Sequence, residues 1–259
     1  MKMLSLFSGV GMIDLAASWA GIETVALCEI EPYAVSVLER RFENVPIYND
    51  VRTLTKERLR QDGITDIDII CGGWPCQDNS NAKQCGSERQ QGLNGARSGL
   101  YWEFWRLVSD IRPKFVIGEN VPAITSVNGG SDWAAILGSL AEIGYDAEWI
   151  NLFASRSGAP HHRERLFLVA YPNGKRLPPI FDRLRNAQKK SIEKVGREFA
   201  GATLSVGDYW ASTSEPIRVA NGVAHRVDRL RCLGNGCVPQ QVYPIFKLIM
   251  EAENENRTL

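Results

Sequence analysis

A cysteine that follows a glycine-rich turn is the strongest candidate for chemistry in this sequence. Cys76 comes directly after Gly72-Gly73-Trp74-Pro75, and residues 67–70 before that turn have the length and β-branched content of a buried strand. In open α/β sheets, ligands bind at the carboxyl ends of the strands, so a thiol at this position is a candidate nucleophile. The alternative is a small buried cysteine that only closes the strand.

A carboxylic acid and two arginines stand at the ends of later apolar runs. Glu119 follows residues 115–118, and burial at such a strand end raises the pKa of a carboxyl group, which suits a general acid near neutral pH. Arg163 and Arg165 precede the apolar residues 166–170. Residues two apart on a strand share a face, so we expect both arginines to point into one cleft, where they can bind planar or phosphate groups.

Three strand ends within the first part of the chain carry groups suited to a nucleoside-type cofactor. The turn Phe7-Ser8-Gly9-Val10-Gly11 allows close approach of the backbone to a ligand, although it lacks the full G-x-G-x-x-G pattern. Glu29 can accept hydrogen bonds from ribose hydroxyls, and Asp50 can accept one from an adenine amine. Each acid alone is more typical of a helix N-terminus. The three features together favour the cofactor.

Strand and helix patterns alternate up to about Tyr171, which predicts βαβ units and a parallel sheet that would position these groups. From there the sequence becomes polar and rich in turns over residues 173–224. Regular patterns resume near residue 225 and include a glycine turn, Gly234-Asn235-Gly236, before a final helix.

The composition is that of a globular chain, with 44% hydrophobic and 23% charged residues, which argues against disorder. The length of 259 residues accommodates one α/β core and a small further domain. Because the formal net charge is zero, any nucleic-acid surface has to be local. Residues 175–198 contain eight Lys or Arg against three acids, which is typical of a phosphate-facing surface or of a solvated helix face.

The segment after Cys76 predicts a lid. Residues 77–99 are rich in Gly, Asn, Gln and Ser, and a loop of this length within a compact domain is usually functional. We therefore expect it to close over the site, with a disordered insertion as the alternative.

The remaining cysteines and histidines do not indicate a metal. The six cysteines, at positions 28, 71, 76, 85, 232 and 237, form no Cys-x-x-Cys and no zinc-like spacing with the three histidines. His161-His162 has no partner ligands in the pattern. No apolar run approaches the roughly 20 residues that span a bilayer, and no signal peptide is evident. The expectation is a cytoplasmic protein with reduced thiols.

Set in order, these segments resemble the DNA (cytosine-5) methyltransferase family. The most specific part is Pro75-Cys76-Gln77 followed by Glu119-Asn120-Val121, and residues 226–240 are similar to the variant found in phage and prophage members. The matching stretches keep the family's linear order: Phe7-Ser8-Gly9-Val10-Gly11, Cys28-Glu29-Ile30-Glu31-Pro32-Tyr33, Asn49-Asp50-Val51, Gly73-Trp74-Pro75-Cys76-Gln77, Gly118-Glu119-Asn120-Val121, Arg163-Glu164-Arg165 and Leu233-Gly234-Asn235-Gly236.

The resemblance implies an α/β fold class: a doubly wound, mostly parallel sheet (the S-adenosylmethionine-dependent methyltransferase fold) with a small target-recognition domain. The catalytic and cofactor-binding domain is expected over residues 1–172 and the target-recognition domain over residues 173–224. Residues 225–259 would return to complete the catalytic domain.

The implied cofactor is S-adenosylmethionine. Glu29 would hold its ribose and Asp50 its adenine amine, while Asn235 would lie near its methionine moiety. The family often has an aromatic residue where this chain has Ile30, so stacking on adenine becomes apolar contact. The full implied set is Phe7, Gly9, Gly11, Glu29, Ile30, Asp50 and Asn235.

The implied reaction is methylation of cytosine C5 in double-stranded DNA, in a bacterial or phage-infected cell. Cys76 would attack C6, Glu119 would protonate N3 or hydrogen-bond to it, and the two arginines would hold O2 and the adjoining phosphate. Because these atoms are inaccessible within a stacked duplex, the cytosine has to be flipped out. Further substrate contacts are expected from Pro75, Gln77, Ser80 and Asn120, and the catalytic set is Cys76, Glu119, Arg163 and Arg165.

Two departures from the family pattern and two alternatives stay open at this point. His161-His162 replaces a Gln that often precedes the arginines, and the short recognition segment limits base-edge readout. The same reaction on structured RNA would use similar motifs, although the phage-type closing run favours DNA. A non-catalytic DNA-binding relative is the other alternative, which the intact catalytic set argues against. We further expect no membrane, no metal and a monomer.

Overall fold

One mixed sheet organises the molecule. The computed structural model describes residues 1–75, 99–159, 161–174 and 225–257. Within these ranges the strands are β1 (Lys2–Leu6), β2 (Glu23–Cys28), β3 (Ile47–Tyr48), β4 (Ile69–Gly72), β5 (Phe115–Asn120), β6 (Tyr145–Phe153) and β7 (Glu164–Pro172). Their order is β3-β2-β1-β4-β5-β7-β6. The pairs from β3 to β5 are parallel, and β7 is antiparallel to both neighbours. The predicted mostly parallel sheet is confirmed.

The helices lie on both faces of this sheet. They are α1 (Met12–Trp19), α2 (Pro32–Arg41), α3 (Lys56–Gln61), α4 (Leu100–Ile111), α5 (Ser131–Glu142), α6 (Arg226–Asn235) and α7 (Pro239–Arg257). Among the described residues, no helix is long and apolar enough to cross a membrane.

Alternation along the strands divides the core into two layers. On β5, Val116 packs into a cluster with α4 and α5, whereas Phe115 and Ile117 pack into a second cluster with α1 and α7. This follows from the two-residue period of a strand, which sends successive side chains to opposite faces. A strand buried on both faces has to be apolar at nearly every position, which explains the continuous apolar runs in the sequence.

The start of the antiparallel strand β7 lies beside the ends of the parallel strands. In the register of β5 and β7, Glu119 lies opposite Phe167 and Asn120 opposite Leu166. Residues 163–165 therefore lie beside the end of β5. We call this end of the sheet, formed by the carboxyl ends of β1, β2, β4 and β5 and the start of β7, the upper edge.

Strand β4 differs from the sequence prediction. Residues 67–70 were expected to form it, but it spans Ile69–Gly72 and so includes a residue typical of turns. A Cβ on Gly72 would lie 2.5 Å from the backbone oxygen of Leu6 in β1. The glycine is therefore required by the close approach of two central strands rather than by a turn.

A buried carboxyl group joins α1 to two strands. Asp14 is fully buried, and it accepts hydrogen bonds from Ser5 Oγ at 3.0 Å and from Thr24 Oγ1 at 3.1 Å. Burial raises the pKa of Asp14 from 3.8 to about 6, although both hydrogen bonds act in the opposite direction.

At neutral pH the buried, ionised Asp14 destabilises the wild type, and we expect Asp14→Asn to abolish this destabilisation. Because the pKa of Asp14 is higher in the folded than in the unfolded protein, its contribution is complete below pH 3.8 and is lost as the pH rises through about 6. The loss amounts to roughly 3 kcal/mol. In urea unfolding, the free energy of unfolding of the variant minus that of the wild type should increase as the pH is raised across this range. A difference that stays constant with pH would contradict this, and the exposed Glu43→Gln is the control.

Candidate active site

A buried carboxyl group lies at the centre of the upper edge. Glu119 is 8% exposed at the end of β5, and burial raises its pKa to about 7, against the lowering effect of the charges on Arg165 and Arg163. Arg165 Nε lies 2.9 Å from Glu119 Oε1, which is ion-pair distance, but no aligned hydrogen bond from the described residues reaches that oxygen. A buried acceptor without an aligned donor is costly to the fold and is therefore available to a ligand.

The turn after β4 packs directly on this carboxyl group. A Cβ on Gly73 would lie 2.6 Å from Glu119 Oε2, and one on Gly118 would lie 2.8 Å from the ring of Trp74. These two glycines are thus the reason that the turn and β5 can approach so closely. The description of the turn ends at Pro75, so the predicted residues Cys76, Gln77 and Ser80 and the predicted lid lie outside the described residues.

Asn120 supports this turn from below. It is 3% exposed, and its Nδ2 donates to the backbone oxygen of Trp74 at 3.3 Å while its Oδ1 accepts from Val121 N at 2.9 Å. Asn120 thus holds the segment that leads to position 76. The direct substrate contact expected from the sequence stays a prediction.

Arg163, directly before β7, and Arg165, on β7, both approach the backbone oxygen of Gly234. Arg163 Nη2 donates to the backbone oxygen of Gly234 at 2.7 Å and to that of Gly236, and Arg165 Nη2 lies 3.3 Å from the oxygen of Gly234. Glu164 instead accepts from Asn151 Nδ2 at 3.0 Å.

The segment Gly234-Asn235-Gly236 is predicted as a turn, but in the structure it is the end of α6 and the residue that caps it. This segment, which we call the return turn, rests on both arginines. Arg163 Nη2 is engaged by carbonyl oxygens of the return turn, and the contact with a phosphate that the sequence predicts for the arginines stays a prediction. Arg165, which lies between Glu119 and the return turn, remains the arginine closest to the predicted chemistry.

Glu29 orders the loop after β1. Its Oε2 accepts from Gly9 N at 2.7 Å, and its Oε1 accepts from the backbone nitrogens of Ile30 and Glu31, both at 2.9 Å. A carboxylate offers about four acceptor positions, so one remains on Oε2. That is compatible with the predicted ribose hydroxyl, and the same side chain also fixes the glycine loop that would line the cofactor.

The two glycines of that loop have different roles. Gly9 has φ +54° and open space where a side chain would be, which suits a backbone that faces a ligand. Gly11 has φ +78°, and a Cβ there would lie 2.4 Å from the ring of Phe42, so this glycine makes room for the residue that follows α2, while its contact with a cofactor stays a prediction. Phe7, at φ +53°, is a non-glycine residue held in a left-handed conformation at the same loop.

The other predicted cofactor residues surround this loop. Ile30 is 59% exposed, as an apolar contact for a ring requires. The carboxylate of Asp50 is engaged by Arg52, with contacts of 2.8–3.1 Å, so a cofactor amine would have to share it. Asn235 is exposed at the end of α6. An acceptor, an open glycine and an apolar face together fit a nucleoside.

Sequence reasoning missed the polar residues that hold these groups in place. Asp14 could have been noticed as an acid within the apolar pattern of α1. Gln241 is 1% exposed, and the two carbonyl oxygens to which its Nε2 donates are 78 and 89 residues away in sequence, so local patterns do not reveal these contacts.

A known protein family matches most of this chain. The model of the C-5 cytosine-specific DNA methylase family matches residues 1–235. Type II methyltransferase M.FnuDI of Fusobacterium nucleatum is 34% identical over 199 residues, which cover 74% of this chain and 55% of the relative. Type II methyltransferase M2.BsuMI of Bacillus subtilis is 33% identical over 174 residues, which cover 66% and 42%. The chain thus spans about half the length of the curated relatives it matches.

Solved structures share the fold. A candidate DNA modification methyltransferase encoded within a prophage of E. coli superposes with a TM-score of 0.58 and 30% identity, over 69% of this chain and 48% of that one. A mutant of Spodoptera frugiperda DNMT2 superposes with a TM-score of 0.55 and 22% identity, over 68% and 51%. The second likeness concerns the fold alone.

Proposed function

Because the chain belongs to the C-5 cytosine-specific DNA methylase family, we propose that it transfers a methyl group from S-adenosylmethionine to C5 of a flipped-out cytosine in double-stranded DNA. One observation carries this proposal. Glu119, a buried acid whose pKa is raised to about 7, lies beside Arg165 and beneath the turn that leads directly to Cys76.

The other thiols support Cys76 as the nucleophile. Burial raises the pKa of Cys28, Cys71, Cys232 and Cys237, which holds each of these thiols protonated near neutral pH. A thiol nucleophile reacts as the thiolate, so the four described cysteines are unsuited to the task. Cys76 follows Pro75 directly in the sequence, and the turn that ends at Pro75 packs on Glu119.

The proposed chemistry makes C5 reactive for a short time. The sulfur of Cys76 bonds to C6 while N3 takes a proton from Glu119, and C5 becomes enamine-like. S-adenosylmethionine, when bound, supplies the methyl group that C5 takes. A base then removes the C5 proton, the bond from C6 to sulfur breaks with its electrons returning to Cys76, and the N3 proton returns to Glu119. Arg165 would hydrogen-bond to the cytosine O2 and stabilise the negative charge that develops on the ring.

The cofactor would bind at the ends of β1 to β3. Glu29 offers its free acceptor position to the ribose, Gly9 an open backbone, Ile30 an apolar face and Asp50 a carboxylate shared with Arg52. Asn235 on the return turn would approach the methionine moiety.

The division of labour along the chain is also a proposal. Residues 1–172 and 225–259 would form the catalytic domain, and residues 173–224 would recognise the target sequence. Almost all of this second segment, from residue 175 to residue 224, lies outside the described residues. Its basic stretch at 175–198 supports a role facing phosphates.

The covalent step can be trapped. Duplex DNA in which 5-fluorocytosine replaces cytosine carries fluorine at C5, so the final elimination is blocked. We expect an adduct of protein and DNA that depends on S-adenosylmethionine, maps to Cys76 by mass spectrometry and is absent in Cys76→Ala. The matched 5-fluorocytidine RNA should give no adduct. A trap on RNA alone would make RNA the substrate, and no adduct on either polymer would overturn the proposed function.

A further inference from the structure

A buried glutamine at the start of α7 connects three parts of the upper edge. Gln241 Nε2 donates to the backbone oxygens of Leu152 and Arg163, both at 2.9 Å, and its Oε1 accepts from Val238 N at 3.0 Å. With only 1% of its surface exposed, Gln241 makes all these bonds within the protein. It therefore does not touch a ligand itself, and whatever it does for the reaction acts through other residues.

The contact with Val238 shows why the residue type matters. Val238 precedes Pro239, the first residue of α7, so Gln241 is the third residue of that helix. A side chain at this position that accepts from the backbone nitrogen before the helix forms half of a capping box. A glutamate would also accept this hydrogen bond. Only an amide can in addition donate to the two carbonyl oxygens.

These hydrogen bonds close a ring around the return turn. The side chain of Gln241 holds the backbone of Arg163, and the side chain of Arg163 holds the backbone oxygens of Gly234 and Gly236. The chain then runs from Gly236 back to Val238, which Gln241 holds as well. Arg165 joins the same turn to Glu119. A ring of this kind leaves the return turn little freedom relative to the acid.

We propose that Gln241 is a positioning residue, which fixes the backbone of Arg163. The guanidinium of Arg163 in turn fixes the return turn beside Glu119. Arg163 is then a clamp on the protein rather than a ligand of the DNA phosphate. The importance of this geometry for methyl transfer rests on the proposed function, whereas the anchoring itself does not.

Amide hydrogen exchange tests the anchoring without any reaction. Gln241→Met keeps the size of the side chain and removes all three hydrogen bonds, and Gln240→Met is the matched control at the neighbouring, half-buried position. We expect faster exchange in peptides covering residues 161–166 and 232–238 in the first variant only. Equal exchange in the two variants would overturn the proposal. Should Gln241→Met fail to fold, Gln241→Glu, which keeps the capping acceptor, takes its place.

A double-mutant cycle tests whether the effect on the reaction passes through Arg163. At a temperature where all variants are folded, Gln241→Glu should lower kcat by roughly 10- to 100-fold, as a small displacement of catalytic groups does. Combined with Arg163→Met, it should add less than about a threefold further loss, because both changes release the same turn.

Independent losses that multiply would indicate a general structural role and overturn the proposal. A wild-type protein that methylates no DNA would instead overturn the proposed function, and the exchange experiment would still decide the anchoring.

Discussion

Glu119→Gln should lower kcat for methylation of cytosine by about 100- to 10,000-fold, the range contributed by a general acid. The amide retains the shape of the side chain but cannot give a proton to N3. Because the pKa of Glu119 is raised to about 7, the protonated form prevails below that pH and is lost above it. The kcat/KM of the wild type, which reports the pKa values of the free enzyme, should therefore fall as the pH rises through about 7, and the variant should lack this descending limb.

Steady-state kinetics on duplex DNA across this pH range measures both effects. Glu148→Gln is the matched control, since Glu148 lies on β6 and accepts from Tyr171 Oη at 2.7 Å, on the far strand of the sheet. It should leave kcat and the pH profile of kcat/KM unchanged. A Glu119→Gln variant with near-normal kcat, or one that keeps the descending limb, would assign the proton transfer to another group.

Gly73→Ala should lower kcat by roughly 10- to 100-fold while the protein stays folded. The added methyl group would lie 2.6 Å from Glu119 Oε2, which is closer than real Cβ contacts allow, so the carboxyl group has to move. Gly73 is not among the residues with positive φ, and alanine can therefore adopt its backbone conformation. The displaced carboxylate can rotate, which keeps the cost to folding small and places the damage in the active site.

Gly138→Ala provides the comparison for this variant. Gly138 is exposed within α5, and a Cβ there would meet nothing within 4 Å. Alanine in a helix interior is favoured over glycine by about 0.5–1 kcal/mol, so the melting temperature should rise while kcat is unchanged. Normal activity in Gly73→Ala would show that Glu119 tolerates displacement, and the tight packing of the turn would then have no catalytic meaning.

The sequence predicts the parallel strands, and it predicts that candidate site residues lie at the carboxyl ends of these strands. Glu29, Glu119 and the arginines could be located because each follows or precedes an apolar run, and the carboxyl ends of parallel strands meet at one edge. Strand β7 reaches the same edge by its start, which an apolar run alone does not reveal.

Long-range polar contacts could not be predicted in the same way. Gln241 and Arg163 look like ordinary polar residues until the fold brings α7 onto β7. The sequence predicts a turn at Gly72. The glycine is in fact required because Leu6, on a neighbouring strand, leaves no space for a side chain. Gly11 is likewise required because the ring of Phe42 leaves no space for a side chain. These residues are specified by neighbours that are distant along the chain, and single-sequence patterns contain only local information.

Helix α7 has a consequence for synthesis of the protein on the ribosome. Its residues Val242, Phe246 and Ile249 cover the sheet face that carries Phe115 and Ile117. At bacterial translation rates, the stretch from β5 to α7 takes on the order of ten seconds to emerge. Throughout that interval this face has α1 packed on its layer but lacks the cover that α7 provides. The second layer of the core is therefore completed only after α7 has been synthesised, and the apolar side chains that α7 covers are accessible to chaperones until then.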